Sequence, residues 1–320
     1  MSGAMSGATS GTTSAAVSGA GSAGSSPEVR ITVRDLGKTF GTQTVLQGVN
    51  LDVHAGETIV IMGGSGCGKS TLLRLLIGSH KPTSGSIKLL GQDIAEIGDV
   101  AFDDIKRQFG ILFQSAALFQ SMSIADNVAL PLREHTNLAP EVIEMMVKIK
   151  LELVGLRQHA DKFPSQISGG MAKRAGLARA MAMDPKILFY DEPSAGLDPV
   201  TSAEIDQLIK ELTRNFAVTS VVVTHEMDSA FTIADRMLML DGGRVLKVGS
   251  REEFERLRAV SDADVSGLSE DDQIIRQFLR GAAQGPITRR RSADDYREDL
   301  LGEEGNEERV TRGAVPTKRI

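Results

Sequence analysis

The chain has 320 residues, 41% of them apolar, with a formal net charge of −6 and a single cysteine, Cys67. Its apolar content suffices for a sizeable core, so the class is soluble and globular, one large domain or two. The acidic balance argues against a dedicated nucleic-acid binder, the lone cysteine excludes an intramolecular disulfide framework, and no apolar run approaches the ~18–20 residues needed to cross a bilayer.

Residues 1–26 are Gly, Ala, Ser and Thr apart from Met1, Met5 and Val17. That composition lacks the basic start and apolar run of a signal peptide and buries too little to offset its ordering entropy, so 1–28 is expected to be a disordered leader. From Val29 apolar residues alternate (Val29, Ile31 and Val33, then Val49, Leu51 and Val53) and Gly41, Gly48 and Gly56 punctuate them, which predicts short antiparallel strands joined by turns. "ETIVIM" (57–62) reads as a buried strand leading into "GGSGCGKST" and a helix over about 70–77. Residues 102–165 read as mostly helical, broken at Pro131, Pro140 and Pro164. A helix over 169–183, a strand "KILFY" (186–190), a helix over about 199–215, a strand "SVVV" (220–223) and a hairpin turn "DGGR" (241–244) follow. Strands alternating with helices predict a parallel α/β core with the early antiparallel strands beside it. From Arg251 onward 29 of 70 residues are charged, so this extension is not expected to form a core of its own, although "DQIIRQFL" (272–279) has amphipathic helical spacing.

"GGSGCGKS" fits G-x-x-x-x-G-K-S, with Gly63, Gly68, Lys69 and Ser70 at the fixed positions. Glycines let successive backbone N–H groups turn inward around phosphate oxygens, and the helix that follows adds its positive end. The phosphate-binding stretch is therefore Gly63, Gly64, Ser65, Gly66, Cys67, Gly68, Lys69, Ser70 and Thr71, with Lys69 reaching the β and γ phosphates of ATP and Ser70 a ligand of Mg2+. Cys67 reads as a small loop residue. "KILFYDEP" delivers Asp191 and Glu192 to the end of a buried strand, where carboxylates are costly unless a cation or a water employs them. Asp191 suits Mg2+; Glu192 suits a general base polarising the attacking water. Gln114, after the apolar run "ILF", offers an amide to metal and water, and His225 ends "SVVVTH" where it could face the same phosphate. Taken singly, Gln114 reads as a surface glutamine and His225 as a capping residue; the neighbouring motifs favour the site.

"SQISGGMAKR" (165–174) opens a second helix with a serine cap and two residues without Cβ atoms, a second anion receptor at Ser168, Gly169 and Gly170. One P-loop and two receptors in one chain are reconciled by a head-to-tail dimer, in which each copy's 168–170 closes over the ATP held by the other's Lys69.

In order and spacing, the P-loop, Gln114, "ISGGM", "YDEP", "AGLDP" (195–199) and His225 resemble the ATPase subunits of ABC transporters, over about residues 29–250. The resemblance implies a P-loop NTPase α/β fold with an antiparallel β subdomain, a RecA-like core and a helical subdomain over about 115–165 that docks on a membrane subunit. It implies Phe40 as the aromatic that stacks on adenine and Asp198 as part of the loop coupling the two ATP sites. More narrowly, "LFQSAALFQSMSIADNVALPLREHT" (112–136), "SGGMAKRAGLARA", "IIRQFLRGAAQGPI" (274–287) and "DDYREDLL" (294–301) are similar to the MlaF group, ATPases of Mla and Mce-associated lipid transporters. Ile167 and Met171 stand where the general signature has leucine and glutamine; Met171 is part of the likeness to that group. The implied function is ATP-driven movement of phospholipid between inner and outer membranes, by an enzyme on the cytoplasmic face of the inner membrane. Its implied partners are a second copy, a transmembrane permease and an Mce-domain substrate-binding protein, with no nucleic acid. Motifs 63–225 fit an importer of another solute equally well. A non-transport ABC protein is disfavoured, because one cassette is present with no long coiled coil between P-loop and signature. The isolated apolar residues of "IIRQFL" and "YREDLL" suggest short anchors on a neighbouring subunit.

Overall fold

The computed structural model describes residues 28–288. All but the last residue of the expected leader, and the whole of "DDYREDLL", lie outside the described residues. In chain order the elements are β1 (Val29–Phe40), β2 (Gln43–His54), β3 (Thr58–Gly63), α1 (Lys69–Leu76), β4 (Ser84–Leu89) and β5 (Gln92–Asp93). Then come α2 (Asp99–Lys106), β6 (Phe109–Leu112), α3 (Ile124–His135), α4 (Pro140–Leu153) and α5 (Gly169–Ala180). The last are β7 (Ile187–Asp191), α6 (Pro199–Phe216), β8 (Thr219–Val223), α7 (Met227–Ile233), β9 (Arg236–Asp241), β10 (Arg244–Ser250), α8 (Arg251–Ala259) and α9 (Glu270–Arg280).

Two sheets result. One has four antiparallel strands in the order β2-β1-β4-β5; the other has six in the order β10-β9-β3-β8-β7-β6, parallel except for the β10 edge. The first two strands are longer than their glycine punctuation suggests, 12 residues each. The ladder shifts register between the pairs Leu36–Val49 and Lys38–Leu46, and Gly48 sits in that irregularity at φ +61°, so the glycine bends a strand without ending it.

Side chains alternate across β3, and both of its faces are covered. Ile59 and Ile61 join a cluster with Leu72 and Leu75 of α1 and with Ile31, Val33 and Leu46 of the antiparallel sheet. Val60 and Met62 point the other way, into a cluster with Ile205 and Ile209 of α6, Ala230 of α7, Phe254 of α8 and Ile275 and Leu279 of α9. The β9–β10 hairpin bridges the sheets: Gln47 donates its N–H to the Gly243 carbonyl at 2.9 Å, and a Cβ on Gly243 would meet the Val45 carbonyl oxygen at 2.5 Å.

A third cluster belongs to α3, α4 and α5, with Ile124, Val128, Leu132, Val147, Leu151 and Ala178 buried. Pro131, read from the sequence as a breaker, lies inside α3. The lost hydrogen bond costs roughly 3 kcal/mol, whereas burying Ile124, Val128 and Leu132 returns ~1.5–3 kcal/mol each, so packing wins. Pro140 does begin a helix, at the first position of α4, where its missing N–H is harmless.

The charged extension borrows the cassette's core. Ser250 and Glu253 form a capping box at α8, and Arg244 grips Asp271 at 2.6 and 3.1 Å to fix the start of α9. Ile274, Ile275 and Leu279 are buried within this chain and Phe278 packs partly against the same cluster, so these residues of "IIRQFL" serve the chain's own core.

Candidate functional site

Strand register brings the sequence motifs together. Ile61 of β3 and Asp191 of β7 are both paired with Val223 of β8, and Leu112 of β6 is paired with Tyr190. Neighbouring strands are about 4.8 Å apart, so Asp191 and Ile61 stand roughly 10 Å apart at one level. The chain continues one or two residues past that level to Gly63, Glu192, Gln114 and His225. Four motifs distant in sequence thus meet at the carboxyl ends of adjacent parallel strands, where open α/β sheets bind ligands.

Gly63 ends β3 at φ +151°, and a Cβ there would meet the Leu240 carbonyl oxygen at 2.2 Å and Cys67 Sγ at 2.6 Å. No side chain fits. Gly64 and Gly66 border open space, and Gly68 caps α1 at φ +106°, which leaves a loop of accessible backbone ahead of a helix start. Lys69 Nζ donates to the carbonyls of Gly63 at 2.7 Å and Gly64 at 3.0 Å, holding its ammonium over the loop. Ser65 and Ser70 are exposed and Thr71 is half-buried in the first turn of α1. Cys67 is buried, and burial pushes its thiol up, only partly opposed by Lys69. This is a packing cysteine and not a nucleophile.

Asp191 is half-buried; loss of hydration and then the Glu192 carboxylate push its carboxyl above the usual range, partly opposed by Arg74 and Lys173. Two adjacent carboxylates held this way are relieved by a cation. Among the described residues no three His, Cys, Asp or Glu side chains form a metal-binding group, so an ion beside Asp191 would draw on hydroxyl, amide and phosphate oxygens, a hard-donor set suited to Mg2+. Glu192 adopts φ +49°, a left-handed backbone rare for a glutamate. Its side chain is 13% exposed, and its carboxylate meets His225 twice, Oε1 with Nδ1 at 2.9 Å and Oε2 with the backbone N–H at 3.3 Å. His225 itself is largely exposed. Gln114 is exposed two residues beyond β6.

Phe40, at the tip of the antiparallel sheet, is 43% exposed; the edge of His80 and the ammonium of Lys38, 4.7 Å from the ring centroid, flank it. It stands outside the strand-end cluster. Ser168 caps α5 by accepting the Met171 N–H at 3.3 Å, and both Ser168 and Gly169 are exposed. Gly170 is buried: a Cβ there would lie 2.3 Å from Thr201 Cγ2. Asp198 caps α6, accepting the N–H groups of Val200 and Thr201 and the Thr201 hydroxyl at 2.6 Å, bonds that hold its carboxyl below the ordinary range. Met171 is half-buried against the α3–α5 cluster, so its local task is packing. Ser168, Gly169 and Asp198 make no contact with this chain's own P-loop among the described bonds. Sequence reasoning passed over Lys173, whose buried ammonium donates to the Glu192 carbonyl at 3.0 Å. A lysine inside the alanine-rich run of α5 was its one available signal.

Residues 46–195 match a family model described as ABC transporter. Over 271 residues, 85% of this chain and 96% of the relative, the sequence is 40% identical to the intermembrane phospholipid transport system ATP-binding protein MlaF of Escherichia coli. Over 259 residues, 81% of this chain and 71% of the relative, it is 44% identical to the probable ribonucleotide transport ATP-binding protein mkl of Mycobacterium leprae. Among solved structures, a dimeric ATP-binding cassette in a post-hydrolysis state with ADP and Pi is similar at 31% identity and a TM-score of 0.64, covering 69% of this chain and 98% of that one. The cassette cbiO1 of Clostridium perfringens is similar at 30% identity and a TM-score of 0.67, covering 72% and 91%.

Proposed function

The chain belongs to the ABC transporter ATP-binding family and is the ATP-hydrolysing subunit of such a transporter; from that premise, we propose that its cargo is phospholipid, moved between the inner and outer membranes of a bacterium. The observation that carries the cargo is coverage. The alignment to MlaF takes in 96% of that relative, against 71% of mkl, so the likeness to MlaF is nearly end to end and not confined to the ATPase cassette, whose motifs are indifferent to cargo. Ribonucleotide is the second reading, favoured by the higher identity to mkl, of which a smaller share is matched. Proteoliposomes holding this chain with the permease that copurifies with it are expected to move a fluorescent phospholipid when given ATP. ATP-dependent ribonucleotide uptake without lipid movement would overturn the cargo.

In the proposed cycle the P-loop amides and Lys69 hold the phosphates of ATP while Phe40 stacks on adenine. Mg2+, when bound, would neutralise phosphate charge, with Ser70, Gln114 and Asp191 as the residues to hold it. Glu192 polarises the attacking water, and its largely buried carboxylate paired with His225 supports that role. His225 uses one ring nitrogen on Glu192 and offers the other to the γ-phosphate. The exposure of Ser168 and Gly169 at the start of α5 supports closure by a second copy, each supplying Ser168, Gly169 and the Gly170 backbone to the other's ATP, with Asp198 beside the seam.

Among the described residues no helix is long and apolar enough to cross a membrane. A peripheral seat on the cytoplasmic face of the inner membrane, against a permease and an Mce-domain protein, is part of the proposal. A groove of about 540 Å3 between core and helical cluster, lined by Arg107, Phe109, Phe113, Pro131 and His135, supports docking of the permease there.

A further inference from the structure

Lys173 lies on α5, one turn beyond its Ser168 cap, and is 5% exposed. Burying an ammonium is costly unless it is hydrogen-bonded, and an aliphatic side chain would fill the same volume. The partner accounts for the lysine. Its Nζ donates to the backbone carbonyl of Glu192, the residue held at φ +49°, a conformation that surrounding contacts must support against about 1–3 kcal/mol. The Glu192 N–H is anchored on the Val223 carbonyl at 2.9 Å, and its carbonyl also accepts the Ala195 N–H at 3.2 Å. Those two contacts come from the neighbouring strand and the loop itself; Lys173 alone brings in the helix. The start of α5 touches the same loop region, Gly170 against Thr201 and Gly169 near Leu197.

We propose that Lys173 is a positioning residue: its buried ammonium ties the helix that completes a second copy's ATP site to the backbone of this chain's own Glu192. Seating the start of α5 on one ATP thereby sets the carboxylate that acts on the other. The inference rests on Glu192 being the base.

The test uses the full chain with ATP and Mg2+. Lys173→Met is expected to lower kcat by about 10- to 100-fold, the order that small misplacements near reacting groups cost, with KM for ATP changed less than about twofold. Lys173→Arg, which keeps a cation within reach of the carbonyl, recovers most of the rate. In a Glu192→Gln background, Lys173→Met leaves ATP-induced dimer trapping intact, because the carboxylate no longer matters there. A Lys173→Met kcat within about twofold of the parent, or loss of trapping in the double variant, overturns the proposal in favour of a purely structural lysine. Should Lys173→Met fail to fold, Lys173→Leu, which also lacks any donor to the Glu192 carbonyl, gives the same comparison. Undiminished hydrolysis by Glu192→Gln alone would remove the base assignment first and this inference with it.

Discussion

Gly169 and Gly170 are neighbours in one motif, and the structure predicts that adding a methyl group to each has opposite effects on stability. A Cβ at position 170 would stand 2.3 Å from Thr201 Cγ2, whereas at position 169 the nearest atom, Leu197 Cδ2, is 3.6 Å away. Thr201 cannot simply rotate, because its hydroxyl donates to Asp198 at 2.6 Å. Overpacking of this kind costs about 1–3 kcal/mol, against up to about 1 kcal/mol recovered by replacing a helical glycine. Gly170→Ala is therefore expected to lose a net of about 1 kcal/mol, or about 2–4 °C in Tm. Gly169→Ala is expected to keep or raise Tm while slowing turnover, since its methyl group projects from the exposed face proposed to meet a second copy's ATP. Thermal unfolding of the two single variants and of Gly170→Ala/Thr201→Ser checks this, because serine keeps the hydroxyl and removes the obstructing methyl. If the double variant unfolds no later than Gly170→Ala, the steric reasoning is wrong.

Three further predictions follow from other parts of the chain. Glu192→Gln is expected to bind ATP and lose at least about 100-fold in turnover while accumulating as an ATP-dependent dimer in size-exclusion chromatography. Ile275→Ala removes a fully buried side chain from the cluster that α9 shares with the sheet, and is expected to cost about 2–5 kcal/mol in urea unfolding; an unchanged midpoint would mean that α9 is not docked. Asp206, buried and accepting the Ser229 hydroxyl at 2.5 Å, has its carboxyl pushed up chiefly by burial. A carboxyl raised on folding binds its proton more tightly in the native state. It favours the fold below its unfolded value near 3.8, and that contribution is lost as pH rises through the raised native value. Asp206→Asn is expected to lack this decline when unfolding free energy is compared with the parent from acid to neutral pH.

The motifs that meet at the strand ends were legible because each carries a local signature: glycines before Lys69 and two carboxylates after "KILFY"; so was the helix start at Gly169, with its cap before it. Periodicity found β3, β7 and β8, whose sequences are continuous apolar runs. It lost the four-residue β6 inside a stretch read as helical, and it mistook Pro131 for a break, since what holds α3 together is contact with α4 and α5. Gly48 looked like a turn and is a bend within β2. High charge in the extension could not reveal that Phe254, Ile275 and Leu279 complete the core of the preceding residues. The contacts of Lys173 and Thr201 join residues 19 and 31 positions away, Glu192 and Gly170, and no local pattern announces them.

The bridge between the two sheets has a consequence for where movement can occur. Val45 and Leu46 touch the hairpin turn at Gly243 on one side and Gly68 of the phosphate loop on the other, with Leu46 Cδ2 only 2.7 Å from where a Gly68 Cβ would stand. The strand pair carrying Phe40 is thereby bolted to the loop carrying Lys69. On the proposed roles, the base and the phosphates of one ATP are gripped by a single rigid gauge of fixed span, which measures the nucleotide without having to fold around it.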